Sequence, residues 1–288
     1  MTPAASTERP SISARPDRDH SNLLLRIGSR VALLAALALV VFLALPLVGL
    51  LWRTIQRFDG VSDRTATTLR EALTLSLVTT CISMAVVVLL GTPLAYLLGR
   101  HTFRGKNALE TLIDLPIVLP PAVAGLALLM AFGRRGLVGE YLDQHFGITI
   151  GFTTTAVVMA QIFVASPFYV RAARAGFARF DKGMEEAAAD LGADPWHVLR
   201  TVSLPMARPA IGAGLVLAWA RALGEFGATI MFAGSIAGRT ETMPLAVYGR
   251  YEAGDLDTAL LLSVILVACA TLVLLSVRIA NRSSGEIV

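Results

Sequence analysis

Six apolar stretches, each about as long as a bilayer is thick, decide what this chain can become. They cover residues 31–52, 72–98, 112–132, 153–170, 207–233 and 258–280, and each is near or above the roughly 18-residue length at which a helix can cross hydrocarbon. Lipid offers backbone N–H and C=O groups no partners, so such segments cross as helices. The expected fold is therefore all-α, a six-helix transmembrane bundle. The first stretch, about 22 residues or roughly 33 Å as helix, is too long for a signal-peptide core and is followed by no convincing cleavage site, so it reads as an uncleaved anchor. Hydrophobic residues make up 55% of the chain and charged residues 16%, a balance beyond that of ordinary soluble domains.

Residues 1–22, rich in Ser, Pro, Arg and Asp without apolar periodicity, are expected to form a disordered tail. Residues 23–283 hold the transmembrane domain, and 284–288 form a short C-terminal tail. Loop charges suggest an orientation. With a cytoplasmic N-terminus, one side collects Arg9, Arg15, Arg18, Arg26, Arg30, Arg100, Arg104, Lys106, Arg171, Arg174, Arg179, Lys182, Arg200, Arg208, Arg278 and Arg282. The other holds Arg53, Arg57, Arg64, Arg70, Arg134, Arg135, Arg239 and Arg250. The bias toward the first side is twofold and puts both termini inside the cell.

Several function classes drop out. The pI of about 9.4 reflects basic residues scattered between apolar runs rather than one continuous face, which fits lipid and membrane topology and not nucleic acid. Cys81 and Cys269 each sit inside an apolar run and read as packing residues. His20, His101, His145 and His197 are scattered over tail and loops with no metal-ligating spacing, so no metal is expected. The nearest approach to a phosphate-cradling loop, Gly99 to Asn107, has five residues where that loop has four between glycines, and asparagine after Lys106. An intramembrane enzyme would need a convergent nucleophile and base or a metal set inside the spans, and none is found.

One polar island stands out between two apolar stretches: EEAAADLGADPWHVLRTVSLP, residues 185–205. Glu185, Glu186, Ala187, Ala188 and Ala189 are strong helix formers, and the three alanines leave a nearly bare face. Gly192 sits where a left-handed C-terminal cap belongs, and Asp194-Pro195 reads as an N-cap followed by proline at the first position of a second helix. The expected unit is helix, tight turn, helix, ending at Leu204-Pro205 because proline removes a donor and disfavours helix before it. A surface-lying amphipathic helix and a docking site on a receptor or scaffold are the other readings of this island.

The spacing of Glu186, Ala187, Ala188, Gly192, Val202, Leu204 and Pro205 resembles the cytoplasmic loop of ABC importer inner-membrane permeases: glutamate, two alanines, three residues, glycine, nine residues, isoleucine, one residue, leucine, proline. Valine in place of isoleucine is the one departure. The resemblance implies that residues 171–208 form a cytoplasmic coupling-helix loop. In it Glu185, Glu186, Ala187, Ala188, Gly192, Val202, Leu204 and Pro205 would dock an ATPase subunit.

Polar residues inside the spans need partners. Thr74, Ser76, Thr79, Thr80 and Ser83 dot the second; Pro116, Pro120 and Pro121 break up the third; Gln161, Ser166 and Pro167 interrupt the fourth. Most of the hydroxyls are expected to bond to their own helix or to join neighbours. In the fifth, Arg221 and Glu225 are expected four residues apart on one helix face, near glycines and alanines at 224, 227 and 228. Two readings stay open: a structural ion pair closing a helix interface, or a pathway bordered by Arg221 or Thr229 with Glu225 as a positioning residue. The run from Arg221 to Thr229, with residues 238–248 after it, resembles molybdate and tungstate permeases and, less closely, sulfate/thiosulfate permeases. That likeness covers roughly residues 67–277. It implies a homodimer fed by an external substrate-binding protein and driven by two ATPase subunits. The chain itself would bind no cofactor, with ATP and Mg used by the ATPase partner, and would catalyse no bond change.

Overall fold

The computed structural model describes residues 18–57, 60–181 and 183–283, with two compact units at residues 1–53 and 54–288. The first unit is described through helix α1 (Arg18–Gln56), which holds a candidate span at Val31–Gln56 of mean hydropathy 3.0. It opens at Arg18, inside the stretch read as tail. Residues 1–17 of that stretch, the tail at 284–288 and Lys182 lie outside the described residues.

The second unit is helical throughout its described residues. In order come α2 (Asp63–Arg100), α3 (Lys106–Val118), α4 (Pro121–Phe132), α5 (Gly139–Phe146), α6 (Thr154–Arg179), α7 (Gly183–Asp190) and α8 (Pro195–Val198). A π-turn (Leu199–Ser203), α9 (Leu204–Leu223), α10 (Gly227–Ala233), α11 (Met243–Glu252) and α12 (Leu256–Ser283) complete it. Five described helices are long and apolar enough to cross a membrane, six crossings in all if the bent pair α3 and α4 counts as one. Side-chain caps start two of them: Ser62 Oγ accepts from Thr65 N and Thr153 Oγ1 from Ala156 N.

The third span is broken, as its prolines predict: α3 and α4 meet at a 118° bend across Leu119-Pro120, with Pro121 opening α4 and Pro116 kept inside α3; Pro120 and Pro121 supply no N–H to carry a helix through. Two other expectations are corrected. The fifth span is also broken, α9 closing at Leu223 and α10 opening at Gly227. Finally, the helix after Asp194 does not stop at Leu204-Pro205: α8, the π-turn and α9 form one continuous run, Pro195–Leu223. The wider π-turn shifts the hydrogen-bond register just where Pro205 brings no donor, so the proline sits in the first turn of α9 rather than ending a helix.

Packing centres on α6, which lies against both α2 and α9. Its Ala165, Tyr169, Ala173 and Phe177 recur every four residues on one buried stripe and meet Ala95 and Leu98 of α2 and Ala207, Ala218 and Ala222 of α9. Small residues let the backbones close in, and the two aromatic rings fill what is left. Polar groups of α2 are matched across helices. Ser83 Oγ donates to Gln161 Oε1 at 2.9 Å, Gln161 Nε2 to Thr80 Oγ1 at 3.3 Å, and Met243 N to Ser76 Oγ at 2.7 Å. These span hydroxyls therefore join helices, as expected of them, and α6 runs unbroken through Pro167.

A second cluster joins α4, α10 and α6 through Ala124, Leu128, Ala160, Ala228 and Phe232. Here backbone lies on backbone: a Cβ at Gly125 would stand 2.6 Å from the Ala228 carbonyl oxygen and 2.8 Å from its Cα. The neighbouring atoms are main chain and cannot rotate away. Gly125→Val should therefore lower stability by about 1–3 kcal/mol, read as a lower unfolding temperature of the detergent-solubilised protein. Gly151→Ala, whose Cβ would meet nothing closer than 3.7 Å, is the control that should leave it unchanged.

Candidate coupling loop and buried ion pair

The polar island folds as a capped turn between α7 and α8. Ala193 N donates to Ala188 O at 3.1 Å and Gly192 N to Ala189 O at 2.9 Å, a Schellman closure that satisfies the carbonyls at the end of α7. It requires a left-handed residue, and Gly192 has φ +87°. Asp194 Oδ1 then accepts from Trp196 N at 2.9 Å and His197 N at 3.1 Å, capping α8, whose first residue is Pro195. The turn chemistry is as the sequence indicated.

The eight residues assigned to this loop do not share one role. Glu186, Ala187 and Gly192 are exposed, and Ala188 is half-buried. Val202, Leu204 and Pro205, also half-buried, form the joint between the π-turn and α9. Glu185 turns inward. Its Oε1 lies 3.0 Å from Arg100 Nε at the end of α2 and accepts from Ser203 Oγ at 2.5 Å. The exposed surface also carries residues that the motif does not include: Leu191, 90% exposed, Trp196, 63% exposed, and Met184. Arg200 lies over the Trp196 ring at 5.7 Å. A tryptophan in an otherwise polar loop was the available signal for Trp196. For Arg100 there was none beyond its place among the basic residues.

Some 29 residues away along the continuous run from Pro195 to Leu223, roughly 43 Å of helix, lies the ion pair. Arg221 and Glu225 are not on one helix face as expected, since Glu225 falls in the break after Gly224. They still meet, Arg221 Nη1 to Glu225 Oε2 at 2.7 Å, with the Glu225 side chain 1% exposed and that of Arg221 29%. The other oxygen, Oε1, accepts from Ala228 N at 2.7 Å, supplying a backbone acceptor that the broken helix has lost. Thr229 is fully buried, and its Oγ1 has no hydrogen-bond partner among the described residues. On the far side of α4, Arg134 and Thr149 donate to Asp143 of α5 and hold its carboxyl below the ordinary carboxylate range.

The loop and the ion pair both fall within residues 91–284, which match the family described as binding-protein-dependent transport system inner membrane component. The chain belongs to that family. It is a transport component and not an enzyme. Among its relatives, the molybdenum transport system permease protein ModB of Mycobacterium bovis is 46% identical over 85% of this chain and 91% of that protein. The protein of the same name from Escherichia coli K12 is 42% identical over 75% of this chain and 95% of its own length. A bacterial ABC transporter involved in alginate import superposes with a TM-score of 0.72 over 94% of this chain and all of that chain at 16% identity, which bears on the fold alone. The MetNI methionine transporter does so at 0.59 over 77% of this chain and 99% of that one, at 18% identity.

Two substitutions separate the roles of these residues in this transport component. Gly192→Val, with open space around its Cβ, should strain the turn through backbone conformation alone, by about 1 kcal/mol or more. Uptake should be lost with the protein still in the membrane, while Gly192→Asn, which tolerates the left-handed region, should keep much of it. Glu225→Gln should leave Arg221 unpaired and lower stability by on the order of 2 kcal/mol. Unchanged assembly and unchanged transport in that variant would remove both readings of the pair.

Proposed function

We propose that this chain is the permease of an ATP-driven importer that carries molybdate, or the similar tungstate, into the cytoplasm. Two copies would form the pathway, with both termini and residues 171–208 on the cytoplasmic side, as the basic loops favour. Two ATPase subunits would grip the exposed part of the loop, Glu186 to Gly192 with Leu191 and Trp196. They would bind and hydrolyse ATP with Mg, and an external binding protein would deliver the oxyanion. A bacterial alginate ABC transporter of the same fold has been solved in complex with an alginate pentasaccharide-bound periplasmic protein, which supports that division of labour.

The observation that carries the substrate reading is the extent of likeness to proteins named for molybdenum transport, 46% over 91% of the Mycobacterium bovis protein. The local chemistry is compatible. Glu225 is held by Arg221 and by Ala228 N, so the pair carries no net charge to repel an anion, and the exposed part of Arg221 and, once the break opens, the unpartnered hydroxyl of Thr229 are the groups that suit one. Glu225 acts as the positioning residue. Closure of the ATPase pair would move the loop, and the continuous helix Pro195–Leu223 would carry that movement to the broken span.

The test is cellular molybdenum, by elemental mass spectrometry, in a deletion strain and its complemented parent grown at limiting molybdate with sulfate varied. A deficit that this gene restores and sulfate leaves unchanged is the expected result. Normal molybdenum with a requirement for reduced sulfur would move the substrate to sulfate or thiosulfate.

A further inference from the structure

Helix α7 poses a mechanical problem. None of its side chains is buried, and its closest packing is against α8 and the π-turn. A helix with no fully buried side chain is weakly held by packing alone and would tend to slide over the bundle when pulled. The structure supplies one firm attachment. Arg100, the last residue of α2 and 7% exposed, points its guanidinium two ways. Nη1 donates to the carbonyl of Phe180, the C-cap of α6, at 2.7 Å, and Nε lies 3.0 Å from Glu185 Oε1 on α7. Ser203, 1% exposed and the last residue of the π-turn, donates its hydroxyl to that same oxygen. The side chains of Arg100 and Glu185 are 5% and 16% exposed, so water weakens the attraction little. Tyr96, edge-on to Phe177 at 5.4 Å, lies one helical turn before Arg100.

We propose that the Arg100–Glu185–Ser203 cluster is the latch that passes displacement of α7 into α2, α6 and α9. Glu185 is then a positioning residue that faces the bundle, while its neighbour Glu186 faces the partner. The carboxylate oxygen combines a charge for the guanidinium with a lone pair for the hydroxyl, and the planar fork of arginine reaches a carbonyl and a carboxylate in different directions at once. The inference rests on the importer reading above, and it adds which residues turn gripping into movement.

The experiment measures molybdate taken up per ATP hydrolysed, in liposomes containing the permease with its co-purified ATPase and the binding protein. Four variants are compared with the parent. Glu185→Gln removes the charge and leaves Arg100 unpaired. Arg100→Met combined with Glu185→Gln removes both charges, so a fold loss caused by an orphaned buried cation is avoided. Uptake per ATP should fall about tenfold in the double variant, within the usual range of coupling between sites, while the ATPase still co-purifies. Ser203→Ala should give a smaller fall, and Arg100→Lys an intermediate one. An unchanged ratio in the double variant overturns the latch, as does loss of uptake, hydrolysis and co-purification in equal proportion. Failure of the parent chain to co-purify with any ATPase would instead overturn the importer reading, and the latch with it.

Discussion

A helix interrupted inside lipid must replace every backbone hydrogen bond it gives up, because no water is there to take them. Much of this structure is an answer to that constraint. Where the fifth crossing breaks, the carboxylate of Glu225 accepts the N–H of Ala228 and is itself neutralised by Arg221. Where the third breaks, prolines remove donors that would otherwise be orphaned. The breaks meet: a Cβ on Gly227, at the start of α10, would lie 2.5 Å from Pro121 Cβ at the start of α4. Two short half-helices are thus set side by side, each needing the other's small residues to pack.

How much of this could be read from the sequence depended on the range of the cause. Local chemistry was legible. Gly192 needed a left-handed φ and Asp194-Pro195 needed to open a helix, because those requirements belong to single residues and their immediate neighbours. The apolar stretches gave the crossing helices, and the hydroxyls of the second span do what was expected of them, Thr79 bonding to its own helix and Ser76, Thr80 and Ser83 joining neighbours. Legibility failed where a break depended on what lies across an interface. The prolines of residues 112–132 announced a break but not its 118° angle, while residues 207–233 are apolar enough to pass as a rod, and only the close fit of Gly125 to Ala228 shows why a bent half packs better there. Pro205 misled for a related reason, since a π-turn is invisible to a pattern that assumes 3.6 residues per turn.

The site was legible in place and less so in role. The motif located the loop and matched Glu186, but it gave no reason to separate Glu185 from it, and on sequence both are assigned to docking. They point in different directions, and what decides between them is Arg100, some 85 residues earlier in the chain. Pairing across that separation leaves no trace in local periodicity. The same holds for Arg221 and Glu225: the pair survives, but through a helix break that an i,i+4 argument does not contain.

The π-turn at Leu199–Ser203 also sets an angle. One residue beyond the α-helical count turns everything on its far side by roughly 100° about the helix axis, since an α-helix advances 3.6 residues per turn. The azimuth at which Asp194, Trp196 and the capped turn stand relative to the buried stripe of α9 is therefore fixed by a single inserted residue. The loop's heading and the core's packing become separately adjustable, so the face offered to a partner can be re-aimed without disturbing a contact between α9 and α6.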